Sequence, residues 1–343
     1  MSAPQQNAPV EIWYTRCGGA TASTIAIQND WLHEEFKDDG IVLSSVRDSP
    51  NPEIRESHFD HSITSMFREG GNIPPIWARA KGADSVVLAI TWVDEFQSIV
   101  IRPQSSVREI SDLKGKRLAV PLHRDISIDF QRGAAFHGFA HALDLAGLGR
   151  SDVQFVDVPV EQGLGGHEAA VLAALETGAV DAVFLRQGSG YKLAQQHAGN
   201  LRELLKITDL EDPLHRVNNG TPRPLTVHRA FLDRHPDLVV RYLAVLLRSA
   251  AWAETHPEDA IRAVAAEDGR HVDEAVVAGA YPKLSVSLTP KLTEDYIRGL
   301  ETQKNFLRDW GFLAADFPLR AWIEAGPLEE ARRLVAGAAR TAA

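Results

Sequence analysis

Asp112-Leu113-Lys114-Gly115-Lys116-Arg117-Leu118-Ala119-Val120 decides the architecture of this chain. A polar turn around Gly115 feeds an apolar run that predicts a strand, and a helical stretch follows from about Ile126 to Leu145. The alternation then repeats. Val153–Val158 reads as a strand, Glu168–Glu176 as a helix stopped by Gly178, and Asp181-Ala182-Val183-Phe184-Leu185 as a buried strand. Leu201–Ile207 suits a last strand or a short helix. Upstream, Glu11–Thr15, Ile41–Leu43, Ser85–Thr91 and Ser98–Arg102 read as strands. Thr21–Lys37 reads as one helix with Ile27, Trp31, Leu32 and Phe36 on one side. Strands alternating with helices call for parallel pairing and an α/β fold. Asn218-Asn219-Gly220-Thr221-Pro222-Arg223-Pro224 is a loop by composition and reads as a return crossing. Helices follow to about Thr255 and then at roughly 257–266, 272–280, 290–310 and 327–336, with an Ala-rich tail after Val335 expected to fray. The expected organisation is two lobes, each a mixed, mainly parallel sheet flanked by helices, with extra C-terminal helices. Residues 9–104 with 224–343 form the first lobe, and 105–223 the second.

With 343 residues, 44% of them apolar, the chain can bury two cores. A net charge of -10 and the absence of any Lys/Arg stripe argue against a nucleic-acid partner. No window is long and apolar enough to span a membrane. Met1–Val10 lacks the charged start and the run of about 7–15 apolar residues of a secretory signal, which predicts a cytoplasmic protein. Cys17, the single cysteine, would there persist as a thiol or thiolate.

The 112–120 stretch, together with Thr177-Gly178-Ala179-Val180-Asp181-Ala182, resembles type II periplasmic binding proteins for sulfonates, nitrate and taurine. That resemblance implies a ligand held between two lobes. His58-Phe59-Asp60-His61-Ser62-Ile63-Thr64-Ser65-Met66-Phe67-Arg68-Glu69-Gly70-Gly71-Asn72-Ile73-Pro74-Pro75 resembles the corresponding stretch of the 2'-hydroxybiphenyl-2-sulfinate desulfinase family. A His-Phe pair precedes Arg-x-Gly-Gly-x-Ile-Pro-Pro there at the same spacing. By that resemblance Cys17 is the reactive thiol and His58 its partner. Arg68 and the backbone amide of Gly71 then hold the sulfinate oxygens, with Gly70 and Phe59 beside them. Gly18-Gly19 follow the cysteine where the family has a bulkier pair, and His61 stands where it has an aromatic.

The residues support this chemistry on their own terms. Cys17 lies just past a predicted strand and ahead of a helix, where open α/β sheets gather ligands, and Arg16 adds positive charge nearby. Set against that placement, a lone cysteine is more often a small buried hydrophobe. His58 and His61 are three apart and on a helix would face one side; His61 reads better as a capping or solvated residue. A sulfinate has two oxygens, which suits a guanidinium fork plus an amide in a glycine turn, although Arg68 could instead pair with Glu69. His137 and His141 have the i, i+4 spacing of metal ligands but no third partner, and read as a helical surface pair. Gln162–Gly166 reads as a flexible cleft loop.

The sequence therefore points to a desulfinase releasing sulfite from an organic, aryl-type sulfinate, requiring no cofactor and no metal. The alternative is a non-catalytic binding protein for a sulfonate or similar organic anion. An enzyme of the same fold in pyrimidine or quinone synthesis is a further rival; one lone cysteine argues against the cysteine-rich iron site of the former.

Overall fold

The computed structural model describes residues 10–17, 19–161, 166–268 and 272–342. Two five-stranded sheets organise it. The first runs in the order β2-β1-β3-β10-β4, from Glu11–Tyr14 (β1), Val42–Ser45 (β2), Met66–Glu69 (β3), Ser85–Thr91 (β4) and Arg223–His228 (β10). The second runs β7-β6-β8-β5-β9, from Gln97–Ile101 (β5), Arg117–Leu122 (β6), Gln154–Pro159 (β7), Ala182–Arg186 (β8) and Arg202–Lys206 (β9). In each, three parallel strands are followed by antiparallel pairings, through β10 in the first and β5 in the second. The sheets are mixed as expected, with parallel and antiparallel pairings both prominent.

The central strands are buried along their whole length. All of Ser85-Val86-Val87-Leu88-Ala89-Ile90-Thr91 and of Ala182-Val183-Phe184-Leu185-Arg186 is inaccessible, which is why they read as continuous apolar runs without alternation. Helix Pro236–Thr255 closes the first sheet with Leu238, Val239, Tyr242, Leu243 and Leu246. Phe67 of β3 stacks on Tyr242 at 3.9 Å between ring centroids, pinning that helix under the strand that carries Arg68.

Several local expectations change. The stretch 21–37 is two helices, Ala22–Gln28 (α1) and Trp31–Phe36 (α2), because Asp30 adopts a left-handed conformation at φ 60°. Gln97–Ile101 was expected in the first lobe, with the boundary at 104, but it pairs between β8 and β9 in the second sheet. Leu201–Ile207 resolves as strand β9. The Ala-rich tail does not fray, since a helix runs over Gly326–Ala342. Gln162, Gly163, Leu164 and Gly165 of the expected cleft loop lie outside the described residues.

Helix Phe130–Leu145 (α5) shows why His137 and His141 are not a surface pair. Their rings stack at 4.2 Å, His137 lies against Phe306, and it bonds Gln303 Oε1 through Nδ1 at 2.9 Å. His141 Nε2 bonds the Val217 carbonyl at 3.0 Å. Through Gln303 and Phe306, His137 ties α5 to the helix Glu294–Asp309. Burial holds His137 well below the usual 6.5 and lowers His141 to about 4. Such a histidine folds neutral while the unfolded chain binds the proton below about pH 6.5, so stability is full above that pH and is lost as pH falls towards about 4. We expect the melting temperature to drop as pH is lowered from 7 to 5, and the drop to be smaller in His141→Gln. Equal acid sensitivity of the two proteins in a thermal melt would contradict this.

Candidate functional site

Strand ends gather the site. β1 ends at Tyr14, three residues before Cys17, and β3 runs through Arg68 and Glu69 into Gly70-Gly71 and helix Ile73–Ala80 (α4). The Cys17 thiol donates to the Glu69 carbonyl at 3.1 Å. A Cβ on Gly70 would lie 2.3 Å from Cys17 Sγ, so only glycine lets the thiol reach that carbonyl. Gly71 fits equally closely, since a Cβ there would meet the Asn219 amide nitrogen at 2.7 Å. Asn219 in turn accepts from Asn72 N at 2.7 Å through its carbonyl and from Ile73 N at 2.9 Å through Oδ1. Pro74 and Pro75 have no N–H, which leaves the Gly71 amide as the donor at this helix start that no described residue accepts.

Arg68 is buried, 1% exposed, with no carboxylate within ion-pair distance among the described residues. It does not pair with Glu69, whose carboxylate accepts from Ser23 N at 2.9 Å and from the Ser23 hydroxyl. Nor does it present a free fork. Its Nε donates to the His58 carbonyl at 2.9 Å and its Nη1 to the Gly71 carbonyl at 2.8 Å, leaving Nη2 to face the cavity. Burial lowers the guanidinium to about 10 and the nearby Cys17 opposes that shift, so Arg68 stays cationic. The His58 imidazole is held well below 6.5 by burial and then by Arg68, and is therefore neutral at pH 7.

Two further arginines, absent from the sequence-derived set, face the same cavity. Arg186 ends β8, and Arg223 begins β10 inside the stretch read as a loop; both are at most 3% exposed. Glu95, fully buried, bridges Arg186 Nη1 and Arg223 Nη2. Arg223 also donates to the carbonyls of Gly220, at 2.8 Å, and Ala20, at 3.1 Å. Gly19 is what lets it in, because a Cβ there would lie 2.3 Å from Arg223 Nη1. An arginine closing an otherwise apolar strand was the one sequence signal for Arg186; Glu95 gave none. Gln187 opens helix Gln187–Gln196 (α7) at φ 59°, a left-handed conformation that a non-glycine residue holds only under constraint.

The cleft has two parts that meet at Cys17, His58 and Phe130. The deep part, about 160 Å³, is lined by Arg68, Arg186, Arg223, Gln131, Gln187 and Asn219 with no carboxylate. The outer part, about 290 Å³, adds Val46, Phe59 and Phe130 with Arg16, Arg47 and Arg55 at its rim. Phe59 and Phe130 stack at 6.1 Å across the two lobes. Arg16 is committed elsewhere, to Glu267 at 2.8 Å and Asp48 at 2.7 Å. His61 is not part of the site. It lies beyond the end of helix Pro52–Asp60 (α3) in a left-handed conformation, so it cannot share a helix face with His58, and its Nε2 bonds Thr226 Oγ1 at 3.1 Å. Gly18 lies outside the described residues.

The cleft between the two lobes is thus lined by buried arginines and by no carboxylate. The chain belongs to the family described as NMT1/THI5 like, whose profile matches residues 73–260. It is 25% identical over 283 residues, 82% of this chain and 76% of the relative, to a protein of Bacillus subtilis (strain 168) named as an aliphatic sulfonates-binding protein. Among solved structures it resembles the desulfurization enzyme DSZB, at TM-score 0.73 and 21% identity over 95% of this chain and 99% of that one. It also resembles the periplasmic aliphatic sulphonate binding protein SsuA from Escherichia coli, at TM-score 0.68 and 19% identity over 92% of each. These likenesses establish the type II periplasmic-binding-protein fold. They also overturn the cytoplasmic expectation drawn from Met1–Val10, because the sulfonate-binding relatives include a periplasmic protein and point outside the cytoplasm.

Gly70→Ala should drive the thiol off the Glu69 carbonyl, destabilise the fold by about 1–3 kcal/mol through overpacking and change the rate at which iodoacetamide alkylates Cys17. Wild-type stability and alkylation rate in this variant would contradict the close packing of Gly70 on Cys17.

Proposed function

We propose that this protein binds a small organic sulfonate or sulfinate in the interlobe cleft, its sulfur oxyanion against Arg68 Nη2 and the Gly71 amide. The observation that carries this reading is the deep cavity lined by three buried arginines and no carboxylate. A buried guanidinium without a counter-charge costs several kcal/mol, and an incoming monoanion offsets that cost. The organic part of the ligand lies against Phe59, Phe130 and Val46 in the outer part. The names of the sulfonate-binding relatives support the same ligand class.

A second reading, carbon–sulfur bond cleavage, has one observation in its favour: the only thiol of the chain opens onto the same cavity as Arg68, Gly71 and a neutral His58. The solved neighbours include a cysteine-to-serine mutant of DSZB in complex with biphenyl-2-sulfinic acid, at TM-score 0.73 and 22% identity. In such a reaction a sulfinate and water give the protonated organic group and hydrogen sulfite. Cys17 would either attack sulfur or deliver the proton to carbon, with His58 exchanging the thiol proton.

Calorimetric titration with methanesulfonate, benzenesulfonate and benzenesulfinate tests both readings. Binding should weaken about tenfold or more in Arg68→Lys, because one ammonium cannot hold two carbonyls and a ligand together. Cys17→Ser should bind like wild type. Sulfite release from benzenesulfinate by wild type but not by Cys17→Ser would establish the cleavage reading, and its absence with binding intact leaves a binding protein. Failure of all three anions to bind would refute the main reading.

A further inference from the structure

The arginine whose Nε/Nη2 edge lacks a close partner is Arg186, on the opposite lobe from Arg68. Arg186 is 3% exposed, and its Nη1 is taken by Glu95. On its other edge Nε is buried and donates to no described residue, while Nη2 makes only a long contact of 3.5 Å with Gln131 Oε1. An Nε/Nη2 edge presents two parallel N–H groups at the spacing of a carboxylate's two oxygens. Arg16 uses its equivalent edge in that way on Glu267, at 2.8 and 2.9 Å. Arg68 offers Nη2 alone, so the cavity presents two unlike anion-binding geometries, one on each lobe.

The charges agree with that geometry. Three guanidiniums and no carboxylate line the cavity, and one buried carboxylate, Glu95, is shared by two of them, Arg186 and Arg223.

We propose that the ligand carries two acid groups on a short linker, a sulfur oxyanion on the Arg68 side and a carboxylate seated on the Nε/Nη2 edge of Arg186. This rests on the sulfonate or sulfinate reading above and specifies its ligand class as sulfo-carboxylic acids. Gln131, half-buried on the first turn of α5, covers the fork and yields to the carboxylate by rotating its side chain.

Matched pairs read the second acid group directly. Calorimetry on the full chain would compare methanesulfonate with sulfoacetate, ethanesulfonate with 3-sulfopropanoate, and benzenesulfonate with 3-sulfobenzoate. At least one carboxylated member should bind about tenfold or more tightly than its partner, the worth of one charge-assisted fork. Arg186→Gln should abolish that preference, weakening the carboxylated member about tenfold more than its plain partner. Gln131→Ala, which leaves every charge in place, should keep or increase the preference, and decides the matter with the wild-type ratios if Arg186→Gln does not fold. Equal affinities within all three wild-type pairs would overturn the proposal while leaving sulfonate binding intact. So would equal weakening of both members by Arg186→Gln, which would put the sulfur oxyanion itself on Arg186, or a preference that survives that substitution. If neither plain nor carboxylated sulfonates bind, the broader reading fails as well.

Discussion

The fold is arranged around an electrostatic constraint: guanidinium groups held out of water near the meeting point of two sheets. Glu95 ties Arg186 of one sheet to Arg223 of the other, so a single buried carboxylate links the lobes at the floor of the cleft. Backbone carbonyls and Glu95 offset part of the cost of taking these charges out of water, accepting from each of the three arginines. The glycines follow from this. Gly19 admits Arg223, Gly220 admits Glu95 where a Cβ would lie 1.9 Å from its carboxylate, and Gly70 admits the Cys17 thiol.

The same constraint separates the cleft into parts with different chemistry. The deep part has donors to spare and no acceptor charge, whereas the outer part is faced by aromatic and aliphatic groups. A ligand with an acid head and an organic body matches both at once. That description suits binding and catalysis equally well, which is how one scaffold serves sulfonate-binding proteins and a desulfurization enzyme alike. The Cys17 thiol sits where the two parts join, directed at the Glu69 carbonyl.

Some readings failed for identifiable reasons. Helical periodicity continues across Asn29-Asp30 because Ile27 and Trp31 both pack against the first core, yet one left-handed residue turns the axis. His137 and His141 read as a surface pair from their polar type, but the helix Glu294–Asp309, which brings Gln303 and Phe306, packs against His137. Ser98–Arg102 follows β4 so closely that it reads as a strand of the same lobe, although Gln97–Ile101 crosses to the other sheet.

What the sequence determined by itself was local: the α/β alternation, the apolar strands, and the order of Cys17, His58, Arg68 and Gly71 along the chain. These are legible because strand burial and turn chemistry act over a few neighbouring residues. Tertiary structure alone decided that Arg68 spends two of its three nitrogens on its own backbone, that His61 turns away to Thr226, and that Arg186, Arg223 and Glu95 complete the cavity. Hydrogen bonds between groups 91 and 128 positions apart leave no periodic trace in the chain, because their geometry exists only once both sheets are assembled.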